Sequence, residues 1–269
     1  MSRQYTLGVI GVGAMGGALV RGFVDRGALS PAETLVADTR PEAVQPLSQT
    51  AGVAIADSNE QVVSQSAAVL VALKPQVLPE VLPALPWRAG QLVISIAAGV
   101  SLERLQQHTR PDQPVIRVMP NILAAVAEAA SAYACNDRVS GEQLDFAQRL
   151  LASVGTAVRV PERLLDAVTG LSGSGPAFVA TFLEALVDGG ITAGLPRTDA
   201  LQLAAQTVLG VGRWVLATGG SPAQLREQVT SPGGTTIAGL RALEAGGLRS
   251  ATMEAVIAAA RRSQELGGG

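Results

Sequence analysis

Two glycine-rich segments carry residues whose types and spacing could do chemistry. The first is Ser231-Pro232-Gly233-Gly234-Thr235-Thr236, which opens directly into the apolar-periodic stretch Ile237–Glu244. The first turn of a helix has N–H groups without partners and a partial positive charge, so it can hold an anion. The two glycines let a ligand approach the backbone, and the two threonines add hydroxyls that donate and accept. The second segment is Gly11-Val12-Gly13-Ala14-Met15-Gly16, a G-x-G-x-x-G spacing set between a strand-like apolar run and a helical pattern. There Gly11 permits a tight turn, Gly13 lets a pyrophosphate come close, and Gly16 allows close helix–strand packing. A chain carrying both is expected to hold a cofactor at one loop and a small anionic substrate at the other.

Further candidates fall at the ends of apolar runs. Asp38 follows Thr34–Ala37 about twenty residues past the glycines, where an acid grips the ribose 2′-hydroxyl of NAD. Thr39 and Arg40 come next, and an arginine there accepts the 2′-phosphate of NADP, so the two signals conflict. Asp38 could equally cap the helix that begins at Pro41. Val71-Ala72-Leu73-Lys74-Pro75 puts a lysine at the carboxyl end of a strand, the edge where open α/β sheets bind ligands. Ala97-Ala98-Gly99 ends another strand with small residues, which either leave room for a flat ring or pack tightly. Asn121, after Met119-Pro120, is either a ligand-facing amide or a turn former. Leu171-Ser172-Gly173-Ser174-Gly175-Pro176-Ala177 could shape a substrate pocket or serve as an interdomain turn.

The elements needed to position these residues are legible. Apolar strand-like runs at Tyr5–Ile10, Thr34–Ala37, Ala68–Leu73, Leu92–Ile96, Val115–Met119, Ala130–Ala134 and Ala157–Val160 alternate with helical patterns such as Ala14–Arg26 and Pro41–Gln49. That alternation predicts an α/β Rossmann domain, a doubly wound and mainly parallel sheet, over residues 1–160. After Pro161 the strand signals stop. Glu162–Leu171, Pro176–Ala193, Pro196–Ala217, Pro222–Val229, Gly234–Glu244 and Leu248–Leu266 read as helices, with prolines at several helix starts and glycines near the ends. An all-α domain is therefore expected over 161–269, with a loose tail at Gly267-Gly268-Gly269. Its helices are apolar on too many sides to be buried in one small domain, which predicts pairing with a second copy.

Composition narrows the function. The chain has 269 residues, a formal net charge of −2 and 3% aromatic residues. No basic run interleaves with aromatics, so nucleic acid is not an expected partner. Cys135 is the only cysteine and His108 the only histidine, which excludes an intramolecular disulfide and a Cys/His zinc site and fits a reducing cytoplasm. Lys74 is the only lysine. The segment from Arg3 to Met15 superficially resembles a signal peptide, but its glycine spacing reads as structure. No apolar run reads as long enough to span a bilayer, so no membrane partner is expected.

GVGAMG, VALKP, SIAAGV, RVMPN, LSGSGPAF and above all VTSPGGTTIAGLRALE, in this order and spacing, resemble the pyrroline-5-carboxylate reductase family over essentially the whole chain. The resemblance implies a Rossmann domain followed by a helical domain that interlocks as a homodimer, with dimers assembling into larger rings such as a decamer. It implies reduction of the cyclic imine L-1-pyrroline-5-carboxylate to L-proline with NADPH or NADH, the last step of proline biosynthesis. By resemblance the substrate carboxylate sits on Gly233, Gly234 and Thr235 with Ser231 nearby, Thr236 hydrogen-bonds the ring nitrogen, and Asn121 also faces substrate. Gly11, Gly13, Met15 and Gly16, with Val12 and Ala14 of the same loop, would hold the pyrophosphate, and Asp38, Thr39 and Arg40 the ribose. Asn59, Ala72, Lys74, Pro75, Ala97, Ala98 and Gly99 would line the adenosine and nicotinamide ends. One departure stands out: after Asn121 the family often has Thr-Pro and, further on, a glycine, whereas this chain reads Ile122-Leu123-Ala124-Ala125-Val126-Ala127-Glu128. The alternative substrate is therefore a related cyclic imino acid such as a six-membered ring.

Two rival readings are weaker. A β-hydroxyacid dehydrogenase shares the plan but needs a lysine base in its helical domain, and no lysine follows Lys74. A non-catalytic binding protein on the same fold would not need both glycine-rich loops intact.

Overall fold

The computed structural model describes residues 5–267, and the tail expected at Gly268-Gly269 lies outside them. Eight strands form one sheet: β1 (Tyr5–Ile10), β2 (Thr34–Ala37), β3 (Ala54–Ile55), β4 (Ser66–Val71), β5 (Leu92–Ser95), β6 (Val115–Met119), β7 (Ala129–Cys135) and β8 (Gly155–Arg159). The helices of this region are α1 (Ala14–Asp25), α2 (Pro41–Ala51), α3 (Asn59–Gln65), α4 (Leu78–Val81), α5 (Leu102–Gln107), α6 (Gly141–Ser153) and α7 (Leu165–Val168). Beyond them come α8 (Gly175–Thr192), α9 (Arg197–Thr218), α10 (Pro222–Gln228), α11 (Thr235–Ala245) and α12 (Leu248–Gly267).

The strand order is β3-β2-β1-β4-β5-β6-β7-β8. Strands β1 to β6 pair in parallel, with the order reversing between β1 and β4, so the two chain crossings diverge at the carboxyl ends of those two strands. Strand β7 runs antiparallel to β6. The 120–128 link between them is too short for the crossover that a parallel pair requires. Both faces of the sheet are covered. Leu7, Val9, Leu70, Ile94 and Ile116 pack with Leu19 and Phe23 of α1 and Leu150 of α6. Ile10, Val69, Val71, Val93 and Val115 pack with Val62 of α3, Leu105 of α5 and Leu165 of α7. Burial on both faces is why these strands are continuous apolar runs rather than alternating ones.

The chain divides into two compact units: one reaches Ser174 and includes the segment from Ile257, and the other is Gly175–Val256. Helical sequence starts near residue 161 as expected, yet residues 161–174 are compact with the sheet because Leu165 is 1% exposed within its core. The Glu162 carboxylate reinforces this by accepting from the Leu102 N–H (2.7 Å) and from Arg117 (3.1 Å). Helices α7 and α8 are joined by a π-helical turn, Thr169–Gly173. The resulting stretch Glu162–Thr192 is, by length and composition, apolar enough to cross a membrane, which corrects the expectation that no such run exists. The sequence is divided there by its glycines, and the π turn carries the helix through them. In the second unit α8 and α9 approach closely where Gly190 meets Ala200; a Cβ on Gly190 would lie 3.2 Å from that of Ala200.

Candidate active site

The carboxyl ends of β1, β2, β4 and β5 form one edge, and the expected cofactor residues of the first unit gather there. The backbone ties them together: Gly11 N–H donates to Ala37 (2.8 Å), Ala72 N–H to Ile10 (2.8 Å) and Ile96 N–H to Val71 (3.1 Å). Gly11 has φ +90°, which only glycine adopts without strain, and a Cβ there would press on the Ala72 carbonyl. A Cβ on Gly16 would collide with the Gly11 carbonyl and come within 2.9 Å of the Ala72 side chain. The loop is thus a cradle whose shape depends on missing side chains. Helices α3, α5, α6 and α10 begin with a serine whose hydroxyl accepts from the third backbone N–H. Helix α1 begins at Gly13 with no side-chain cap, so its first N–H groups face outward for an anion. Beside this loop, a groove of about 710 Å³ runs from Val12–Ala14 along Gly17 and Arg21 of α1.

Asp38 is tied into the loop. Its carboxylate accepts from Val12 N–H (2.9 Å) and from the backbone N–H (3.0 Å) and Nε (3.2 Å) of Arg40. Burial pushes this carboxyl up, but the hydrogen bonds from Arg40 and Val12 outweigh it and hold it below its ordinary value. Asp38 therefore neither caps α2, which begins after Arg40 without a side-chain cap, nor presents both oxygens free. Arg40 and Thr39 are exposed, and the Arg40 guanidinium lies against the loop, 3.3 Å from where a Cβ on Gly13 would be.

Lys74 is exposed at the β4 end, Asn59 is half-buried in the first turn of α3, and Ala97 is buried beside the exposed Ala98. Pro75, Ala98 and Gly99 border a cavity of about 340 Å³ that Thr169, Ser174, Arg262 and Ser263 also line. Ser174 belongs to the glycine-rich turn singled out in the sequence, whereas Thr169, Arg262 and Ser263 escape the sequence reading, because a hydroxyl or arginine inside a helix carries no local signal of what it faces. Asn121 is 4% exposed, and its side chain is spent within the chain. Its Nδ2 donates to the Ser172 carbonyl (3.0 Å), and its Oδ1 accepts from Leu123 (3.2 Å) and Ala130 (3.4 Å). That is the turn-forming alternative rather than a ligand-facing amide.

In the second unit, α11 begins at Gly234, again with no side-chain cap. Gly233 turns the chain at φ +67°, and the Ser231 hydroxyl lies over Gly234, filling the space a Cβ would need. Thr235 is exposed and Thr236 half-buried in the first helical turn. The segment is an uncapped helix start bearing hydroxyls, a chemistry that suits a small anion.

A glycine cradle at the switch point of a 3-2-1-4-5-6 sheet, followed by a helical unit, defines a dinucleotide-binding oxidoreductase of the Rossmann class. Residues 6–99 match the family described as NADP oxidoreductase, coenzyme F420-dependent, and residues 162–266 the one described as pyrroline-5-carboxylate reductase dimerisation. The chain is 48% identical over 262 residues to pyrroline-5-carboxylate reductase of Synechocystis sp., covering 97% of this chain and 98% of that one. A solved pyrroline-5-carboxylate reductase from Coxiella burnetii superposes with a TM-score of 0.92 at 32% identity, over 98% of this chain and 99% of that one. The Plasmodium falciparum pyrroline carboxylate reductase, solved with NADP bound, gives 0.87 at 28% identity over 99% and 100%. The chain belongs to the pyrroline-5-carboxylate reductase family.

Proposed function

We propose that this chain reduces L-1-pyrroline-5-carboxylate to L-proline with NAD(P)H. The observation that carries the reading is the start of α11, which no side chain caps, and where the hydroxyls of Thr235 and Thr236 follow the glycine turn Gly233-Gly234, whose Gly234 N–H closes onto the Ser231 carbonyl (3.1 Å), in the segment that resembles the family. The backbone N–H groups there hold the substrate carboxylate, with Ser231 beside them. The Thr236 hydroxyl hydrogen-bonds the ring nitrogen and fixes the C=N bond in orientation. When bound, the reduced nicotinamide supplies a hydride to the imine carbon. The imine nitrogen is basic and enters protonated, so the product amine needs no further proton from a strong side-chain acid. Positioning then accounts for most of the catalysis, which fits a site without histidine or a carboxylate pair. On the first unit Gly11–Gly16 hold the pyrophosphate, Asp38, Thr39 and Arg40 lie at the ribose, and Asn59, Ala72, Lys74, Pro75 and Ala97–Gly99 line the two ends. The uncapped start of α1 and the cradle that a Cβ on Gly16 would fill support this fit.

The functional form is a homodimer through residues 175–256, whose apolar side chains stand exposed in the single chain: Leu201 is 52% exposed, Leu203 58% and Leu216 76%. Dimers build a decamer, the protein works in the cytoplasm, and the apolar Glu162–Thr192 stretch meets protein rather than lipid. Steady-state assays with NADPH and NADH against five- and six-membered cyclic imines test the assignment. Turnover of the five-membered ring is expected; preference for the six-membered ring would move the substrate to the related imino acid, and reduction of neither would reject the reading.

A further inference from the structure

The loop Ala97–Gly99 is held from two sides. From the inside, Ala97 and Val100 are 3% and 7% exposed, and they share a core with Leu165 of α7. From the outside, the end of α12 closes on its tip. Gly99 has φ +74°, and a Cβ on it would lie 3.3 Å from the Gly267 Cα. A Cβ on Gly267 would lie 2.9 Å from the Gly99 carbonyl oxygen, closer than side chains pack. The two backbones therefore meet in a contact that only glycine on glycine allows. Gly267, expected to be loose, is instead the last residue of the helix and seated on this loop.

The same helix end is fastened one turn earlier. Ser263 is 7% exposed, and its hydroxyl donates to Asp166 Oδ1 at 2.7 Å. Asp166 follows Leu165, so this bond runs directly into the core that holds Ala97 from below. Ser263 and Leu266 line the 340 Å³ cavity together with Pro75, Ala98 and Gly99.

We propose that the segment Ser263–Gly267 is a positioning brace for the cofactor loop Ala97–Gly99, latched by the Ser263–Asp166 hydrogen bond and seated by the Gly99–Gly267 contact. It rests on the proposed placement of Ala97–Gly99 among the residues that line the bound cofactor. The brace sets the shape of the loop that receives NAD(P)H, so its loss weakens cofactor binding and leaves imine binding alone.

The test uses the full chain with Ser263→Ala, Asp166→Ala, Asp166→Asn and Gly267→Ala. The readouts are NADPH dissociation constant by fluorescence, thermal midpoint, and KM for each substrate against kcat. Losing one such hydrogen bond is expected to weaken NADPH binding about five-fold in Ser263→Ala and Asp166→Ala. Asp166→Asn keeps an acceptor oxygen for the serine and is expected to stay within about two-fold of the unmodified chain. Gly267→Ala presses a Cβ onto the Gly99 carbonyl, so a purely structural contact foresees a lower thermal midpoint with NADPH binding unchanged, whereas the brace foresees weaker NADPH binding beyond any change in the midpoint. Unaltered NADPH binding in Ser263→Ala and Gly267→Ala, or losses that merely follow a falling thermal midpoint or appear equally in KM for the imine, overturn the brace. Failure of the unmodified chain to bind NADPH overturns the reading of the site itself, and the brace with it.

Discussion

The sheet unit and the segment Gly175–Val256 are built from equally apolar sequence but reach opposite states of burial. In the sheet unit Leu7, Val9, Val71, Val93 and Ile116 are all at or below 1% exposure. In the helices of 175–256 the buried hydrophobic residues are Val187 and Ala200, while Leu209 is 46% exposed and Leu216 76%. A parallel sheet with helices on both faces closes its own core. A long helix apolar on most sides closes nothing until neighbours cover it. Local pattern therefore specifies the same amount of secondary structure in both regions, but tertiary completeness in only one. The helical region is therefore expected to depend on assembly for stability, and the proposed substrate-binding start of α11 to depend on it in turn.

The sharpest way to break this contrast is to charge the exposed helix face. Leu209 and Leu216 lie seven residues apart on α9, on one side of the helix. Each leucine covered in a dimer contributes on the order of 2 kcal/mol, and burying an unpaired carboxylate costs more. The double substitution Leu209→Glu with Leu216→Glu is expected to give monomers by sedimentation velocity and to abolish turnover. Retained dimers would mean that this face is not the interface.

Two smaller lesions separate the regions chemically. Removing a hydroxyl that bonds a charged ring nitrogen costs roughly 1.5–3 kcal/mol, so Thr236→Ala is expected to lower kcat about ten- to hundred-fold with NADPH binding intact. Near-normal turnover would remove Thr236 from the reaction. Arg40→Ala should act in reverse. Asp38 is already engaged by Val12 and Arg40, whereas the exposed guanidinium can take up a phosphate. NADPH affinity is expected to fall about ten-fold relative to NADH, with KM for the imine unchanged. Equal losses for both cofactors would show that Arg40 shapes the loop through Asp38 rather than reading the 2′-phosphate.

The same contrast explains what was legible in sequence. Tyr5–Ile10, Thr34–Ala37 and Val115–Met119 are strands with the bounds their apolar runs suggest. The long helices fall within a residue or two of their proline and glycine signals. The edge strand β3 has two residues, Ala54–Ile55, too short to carry a pattern. Other features depend on what meets in space: the antiparallel β7, the Asn121 amide turned onto Ser172, and Gly267 pressed on Gly99. Each is a contact between residues distant in sequence, where period and propensity are silent. Among the candidate residues, the two glycine loops and the turn holding Ser174 are visible because their chemistry is local; the lining contributed by Thr169, Arg262 and Ser263 is not.

The segment where this chain departs from the family pattern offers the finest test. Ala127 has φ +58°, the positive-φ non-glycine among the described residues. It ends the 3₁₀ turn Ile122–Val126, and its N–H donates to Ala124 (3.1 Å), which closes the turn before β7 begins. A left-handed alanine costs roughly 1–2 kcal/mol of backbone strain, whereas glycine accepts the conformation freely. Glycine also loses more freedom on folding, about 0.4–1 kcal/mol, which offsets part of that gain. Ala127→Gly is thus expected to stabilise the sheet unit by about 0.5–1 kcal/mol in denaturant unfolding, with no change in assembly. A loss of stability would mean that the Ala127 methyl packs well enough in the adjoining groove to outweigh its strain. In that case the left-handed alanine is a compensated exchange of backbone freedom for side-chain contact, confined to the region that completes its own core.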